Sequence, residues 1–251
     1  GFETQFWESP TRPWFIVVPA EGKPVAVIPE IGAPQMAATW IDDVHAWPAP
    51  QPADDGTSLL ASVLAQLPRR FGRMGAELGR EMALRMPVMQ FLDLREALPG
   101  LEIGDGSPCI WEARRVKSAA EIERIRFVCQ LASEAYENLT NLISTGENLR
   151  DVCRKLTIDL LQRGADAVPF LPAIAGSDGV KQIVCGPQDK DLEAGDIMFI
   201  DTGTTYDGYF CDFDRNWAVG DVSDAANRAN AAVWDATEAG IAAARPGVTV
   251  E

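Results

Sequence analysis

The sequence predicts an α/β protein in two parts. A small N-terminal α/β domain spans residues 1–114, and from residue 115 a second domain is a mainly antiparallel sheet covered by helices. Three observations carry the prediction. Strand-like and helix-like runs alternate through the first part, strong helical periodicity sets in after Ser118, and from Val168 the chain turns to β-rich runs joined at Asp207-Gly208.

Taken in order, Trp14–Val18 and Pro24–Ile28 are β-rich runs separated by Ala20-Glu21-Gly22-Lys23, which predicts a hairpin. A Pro-rich loop follows at Pro48–Gly56. Between Ser58 and Leu67, the residues Leu59, Leu60, Val63, Leu64 and Leu67 recur at helical spacing. Arg73–Leu78 reads as a strand and Met86–Leu98 as a helix.

The pattern changes at Ile110–Lys117, and Ser118-Ala119-Ala120-Glu121 has the S-x-x-E form of a capping box. A long helix is predicted from there, with Ile122, Ile125, Cys129, Ala132, Tyr136, Leu139 and Ile143 on its buried face. A second helix runs from Leu149 to Gln162 and stops at Gly164, a residue that tolerates positive φ. Phe170–Ala175, Ile197–Ile200 and Tyr209–Cys211 read as strands, and a last helix begins after Ser223 and ends before Pro246.

Composition narrows the function. With 22 Lys and Arg against 37 Asp and Glu, the net charge of −15 argues against nucleic-acid or membrane partners. The five cysteines form no C-x-x-C pair, so neither a disulfide framework nor a zinc site is expected, and a reducing, cytoplasmic setting is. No apolar run approaches the roughly 18 residues of a membrane span. The chain opens at Gly1 without Met and closes on Pro246–Glu251, which reads as a connector, so both termini are expected to be cuts in a longer protein.

Candidate chemistry concentrates between Phe199 and Arg215. Apolar residues lead into Asp201 and aromatic ones flank Asp212, so two carboxylates are expected in a largely apolar interior, where each needs a cation, a proton or several donors. A strict two-residue turn at Asp207-Gly208 sets Asp201 opposite Asp214 and Gly203 opposite Asp212. A longer loop sets Asp201 opposite Asp212 instead. Either register gathers oxygen ligands of the kind a hard divalent ion prefers, although such a pair also serves ordinary turn chemistry. On an alternating strand Cys211 points away from Asp212. His45, the sole histidine, is expected to be structural or on the surface. For the aromatic residues Phe6, Trp7, Trp14 and Phe15, core packing is expected ahead of the alternative, a substrate-facing position across a dimer.

The run Asp201-Thr202-Gly203, the step to Asp212 and Gly208–Arg215 resemble the first metal-ligand motif of the pita-bread metallohydrolases, which include Xaa-Pro aminopeptidase, prolidase, methionine aminopeptidase and creatinase. Three further segments match in order: Arg115–Ile122, Leu192–Asp196 and Ala244–Gly247. The resemblance implies a creatinase-like N-terminal domain at 1–114 and the first part of a pita-bread domain at 115–251. It also implies two divalent metal ions (Mn, Co or Zn), with Asp201 a terminal ligand and Asp212 a bridge, a peptide or small amide substrate, and a homodimer.

The implied reaction is attack of a dinuclear-metal-bound hydroxide on the amide after the N-terminal residue of a Pro-containing peptide. The family's remaining ligands, a histidine and two glutamates, are expected beyond position 251, so this chain alone is expected to be inactive. Peptidase members carry a substrate-binding histidine where this chain has Ile183-Val184-Cys185-Gly186-Pro187. That difference keeps open a creatinase-like or ectoine-hydrolase-like amide or amidine hydrolase, and a pita-bread pseudoenzyme acting as a binding module.

Overall fold

Residues 12–68, 70–179, 181–182 and 185–249 are described by the structure, a computed structural model. Its backbone divides into two units, Gly1–Lys117 and Ser118–Glu251. Phe6 and Trp7 lie outside the described residues.

In the first unit, β1 (Phe15–Val17) pairs antiparallel with β2 (Val25–Pro29), as the hairpin reading requires. All five residues of β2 are buried, the pattern of a central strand covered on both faces. A 3-10 turn at Glu30–Gly32 and the short helix α1 (Ala33–Ala37) carry the chain across to β3 (Asp43–Trp47), which is parallel to β2. Gly32 is needed there because a Cβ would fall 2.3 Å from the Trp14 ring. Trp14 and Phe15 both pack against the cores of this unit.

Helix α2 (Thr57–Gln66) packs with α3 (Val88–Ala97). A second, two-stranded parallel sheet joins β4 (Arg73–Ala76) to β5 (Glu102–Asp105), and α4 (Ser107–Arg115) follows. Ile110–Arg115, read from sequence only as a change of pattern, is therefore helical. The Ser107-Pro108 pair starts α4, because proline is tolerated where the amide has no helical partner.

The second unit begins with α5 (Ala119–Leu142). Its capping box is complete: the Glu121 amide donates to Ser118 Oγ at 3.3 Å, and the Ser118 amide donates to Glu121 Oε2 at 2.6 Å. The buried face is Val128, Leu131, Ala132, Ala135, Tyr136 and Leu139, slightly rotated from the predicted stripe, so that Ile122 is exposed and Ile125 and Cys129 are half-buried. Helix α6 (Leu149–Gln162) buries Leu149, Val152, Cys153, Leu156 and Leu160 and ends before Gly164, at φ 109°.

These helices cover one face of a four-stranded antiparallel sheet. Its long strands are β8 (Ile197–Tyr206) and β9 (Tyr209–Ala218). Along the other edge of β8 lie β6 (Ala167–Phe170) and β7 (Ala173–Gly176). The predicted single run Phe170–Ala175 is thus interrupted at Leu171-Pro172, where the Pro172 carbonyl accepts from the Asp201 amide at 3.0 Å. Before β8, buried Asp196 is held by Lys190 Nζ at 2.9 Å and by the Glu193 amide at 3.0 Å. The last helix, α7 (Asp224–Ala243), starts on a Ser223 cap, and none of its residues is buried.

Candidate metal centre

The β8–β9 hairpin closes by the strict two-residue turn. Asp207 and Gly208 both have positive φ, 47° and 82°, which matches the right-handed twist of the strands they join. The register is therefore Asp201 opposite Asp214 and Gly203 opposite Asp212, down to Tyr206 opposite Tyr209. Of the two registers open in the sequence, the longer loop is not adopted.

This register sorts the side chains. Met198, Ile200, Thr202, Cys211, Phe213 and Trp217 turn toward the helices, the first four of them buried. Opposed residues share a face, so Asp201, Asp212 and Asp214 stand together on the opposite side of the sheet. Asp214 is directly across from Asp201, and Asp212 is on the diagonal. Gly203 is needed there because the Phe210 ring lies over it, where a Cβ would fall 2.7 Å from that ring. Cys211 points away from Asp212, into the core.

Burial differs from the sequence expectation. Asp201 is half-buried, but Asp212 and Asp214 are exposed. The apolar neighbours of Asp212 explain the difference: Cys211 and Phe213 alternate to the helix face and take the apolar environment with them. Burial, then the charges of Asp212 and Asp214, then a hydrogen bond with Asp212, raise the Asp201 carboxyl above its ordinary pKa. Asp201 Oδ1 is buried and has no hydrogen-bond partner. An anionic oxygen withdrawn from water with nothing to neutralise it is unfavourable unless a proton or a cation serves it. A hard divalent ion fits that donor set.

Among the described residues, no group of three or more His, Cys, Asp or Glu converges closely enough to hold a metal by itself. The three aspartates share a face without closing a coordination sphere. His45 belongs to β3 of the first unit and is half-exposed, with Nε2 3.0 Å from Asp43. Ile183 and Val184, of the stretch lacking a histidine, lie outside the described residues. Arg215 does not pair with the Asp214 carboxylate. It donates to the Asp214 main-chain carbonyl at 2.6 Å, and its guanidinium lies over the Phe213 ring.

Helix α5 holds this hairpin at several points. Arg124 pairs with Asp207 in the turn, Tyr209 Oη donates to Glu121 Oε1 at 3.3 Å, and the Phe127 and Tyr206 rings meet at a tilt with centroids 4.3 Å apart. Asp166 Oδ2 accepts from the Asp207 amide at 2.6 Å. Nearer the acidic face, Tyr136 Oη donates to the carbonyls of Ile200, 3.1 Å, and Phe213, 2.9 Å. Sequence reasoning placed Tyr136 on the buried face only as an apolar position. The available clue was that a tyrosine in a seam of Leu and Ala must find a partner for its hydroxyl.

Comparison with known proteins shows the family and the fold. Residues 123–251 match the family model described as metallopeptidase family M24. A protein of Mycobacterium tuberculosis named probable dipeptidase PepE is 26% identical over 248 residues, covering 94% of this chain and 60% of its own length. The Xaa-Pro dipeptidase of Pyrococcus furiosus is 29% identical over 142 residues, 57% of this chain and 41% of its own. Among solved structures, the prolidase of Pyrococcus horikoshii superposes with a TM-score of 0.79 at 21% identity, over 99% of this chain and 67% of that one. The chain thus spans between 41% and 67% of the lengths of these relatives.

Proposed function

Since this chain belongs to metallopeptidase family M24 and has the pita-bread fold of the prolidases, we propose that it carries the aspartate half of a two-metal hydrolytic centre. In this reading Asp201 holds one divalent ion terminally and Asp212 bridges two, with Mn, Co or Zn as the ions. The observation that carries it is the buried, unpartnered Asp201 Oδ1 on a face shared with Asp212 and Asp214. When bound, such ions supply a Lewis acid and an acidified water. The chain's own residues set the ligand spacing: the two-residue turn fixes the register, Gly203 makes room for the Phe210 ring on that face, and the Phe213 and Cys211 side chains anchor the strand from behind.

The substrate class of this reading is a peptide with proline in the second position, cleaved after its N-terminal residue by an aminopeptidase or dipeptidase action. Relatives named dipeptidase and Xaa-Pro dipeptidase support it. The histidine-free stretch Ile183–Pro187 supports a second reading, a non-peptidase amide or amidine hydrolase of the same fold.

The full-length protein tests both, assayed with Xaa-Pro dipeptides, proline-free dipeptides and small amides. Asp212→Asn is expected to lower kcat/KM on the preferred substrate more than Asp214→Asn does. A bridging carboxylate offsets the repulsion between two cations, and a neutral amide in its place weakens both sites. Asp214, acting on a ligand rather than on the ions, should cost about 10- to 100-fold. Near-normal turnover and metal content in folded Asp212→Asn, with loss in Asp214→Asn, would make Asp214 the true ligand. Turnover of small amides alone would move the protein to the second reading.

A further inference from the structure

The buried stripe of α5 is apolar except at one position. Tyr136 sits among Leu131, Ala132, Ala135 and Leu139, is 6% exposed, and brings a hydroxyl under the sheet. That hydroxyl reaches the carbonyl oxygens of Ile200 on β8 and Phe213 on β9. These are the peptide units whose nitrogens belong to Asp201 and Asp214, the two residues that face each other across the hairpin. Phe213 also directly follows Asp212. The Tyr136 ring is fixed edge-on against Trp217, with centroids 5.1 Å apart, and tilted against Phe213 at 6.4 Å. It approaches from the helix side, so it touches the backbone behind the carboxylates and nothing in front of them.

We propose that Tyr136 is a positioning residue for the acidic face. By sharing its hydroxyl hydrogen between both strands, it ties the peptide units that lead into Asp201 and Asp214 and so sets the spacing of the three carboxylates. Three like charges on one face drive β8 and β9 apart or into greater twist, and a tie from behind opposes that movement. Metal ligands must be held to within about 0.2 Å of ideal distances, so a small shear of the hairpin is enough to weaken a site. Burial, then the charge of Asp201, raise the Tyr136 pKa, so the phenol stays a donor wherever the carboxylates are ionised. The same helix grips the hairpin turn through Arg124, about 18 Å away along the helix axis at 1.5 Å per residue. Two fixed points on one rigid rod hold a hairpin better than either alone.

This inference rests on the reading of Asp201 and Asp212 as metal ligands, and its test separates the two. Mn2+ is titrated into the full-length wild type, Tyr136→Phe, Asp201→Asn and Trp217→Leu, and the melting temperature of each metal-free protein is measured alongside. Tyr136→Phe keeps the ring and removes only the tie. It is expected to weaken Mn2+ binding about 10- to 100-fold. Trp217→Leu disturbs the ring packing but leaves the hydroxyl. For the same loss in melting temperature it should cost less Mn2+ affinity than Tyr136→Phe. If Tyr136→Phe binds Mn2+ like the wild type while Asp201→Asn does not, or if affinity follows melting temperature alike in both aromatic variants, Tyr136 only packs and the proposal is wrong. If Asp201→Asn binds as the wild type does, or the wild type does not bind, the metal reading itself fails and takes this inference with it.

Discussion

At Asp201 the fold accepts an unfavourable carboxylate. Its burial and the neighbouring charges of Asp212 and Asp214 raise its pKa in the folded chain. The folded state therefore holds a proton that the unfolded chain has released, and metal-free stability is lost as pH rises from the ordinary carboxylate value through the raised one. Asp201→Asn, which carries no charge to desolvate, is expected to melt higher than the wild type at neutral pH without metal, and the difference should vanish at acid pH. Thermal melts from pH 3 to 8 check this; a lower melting temperature for Asp201→Asn at pH 7 would mean that Asp201 is stabilised by its surroundings. The sequence shows the three aspartates but leaves their register open. Only the turn geometry decides it, through the positive φ of Asp207 as well as Gly208. Tyr136 was illegible as more than a core residue, because the partners of its hydroxyl lie 64 and 77 positions away.

Among the elements, the hairpin and α5 make the site. Gly208 sits at φ 82°, where a side chain is strained, so Gly208→Ala should cost about 1–2 kcal/mol, read as a shift of the urea midpoint. No shift would show that the hairpin tolerates another turn. The long elements were plain in the sequence because their causes are local: Ser118 and Glu121 cap α5, Ser223 caps α7 and Gly164 ends α6. The missed elements have distant causes. β3 and β5 are short parallel strands defined by β2 and β4, and Glu102-Ile103-Gly104-Asp105 has little strand character alone. The interruption between β6 and β7 follows from Pro172, whose carbonyl serves the Asp201 amide.

For the molecule as a whole, the chain belongs to a known family, and the helices cover one side of the sheet while the three aspartates stand on the other. A protein with a net charge of −15 attracts cations over its entire surface, so specific binding must be separated from general attraction. In the reading proposed above, specific binding is of divalent ions held by Asp201 and Asp212. Its most direct test is calorimetric titration of Mn2+ into the full-length wild type, Asp201→Asn and Asp178→Asn, the last removing an exposed carboxylate that pairs with Lys181. At 0.15 M salt the weak surface attraction is largely screened. A saturable phase is expected that is unchanged in Asp178→Asn and at least about tenfold weaker in Asp201→Asn; equal binding by all three proteins would rule Asp201 out as a ligand.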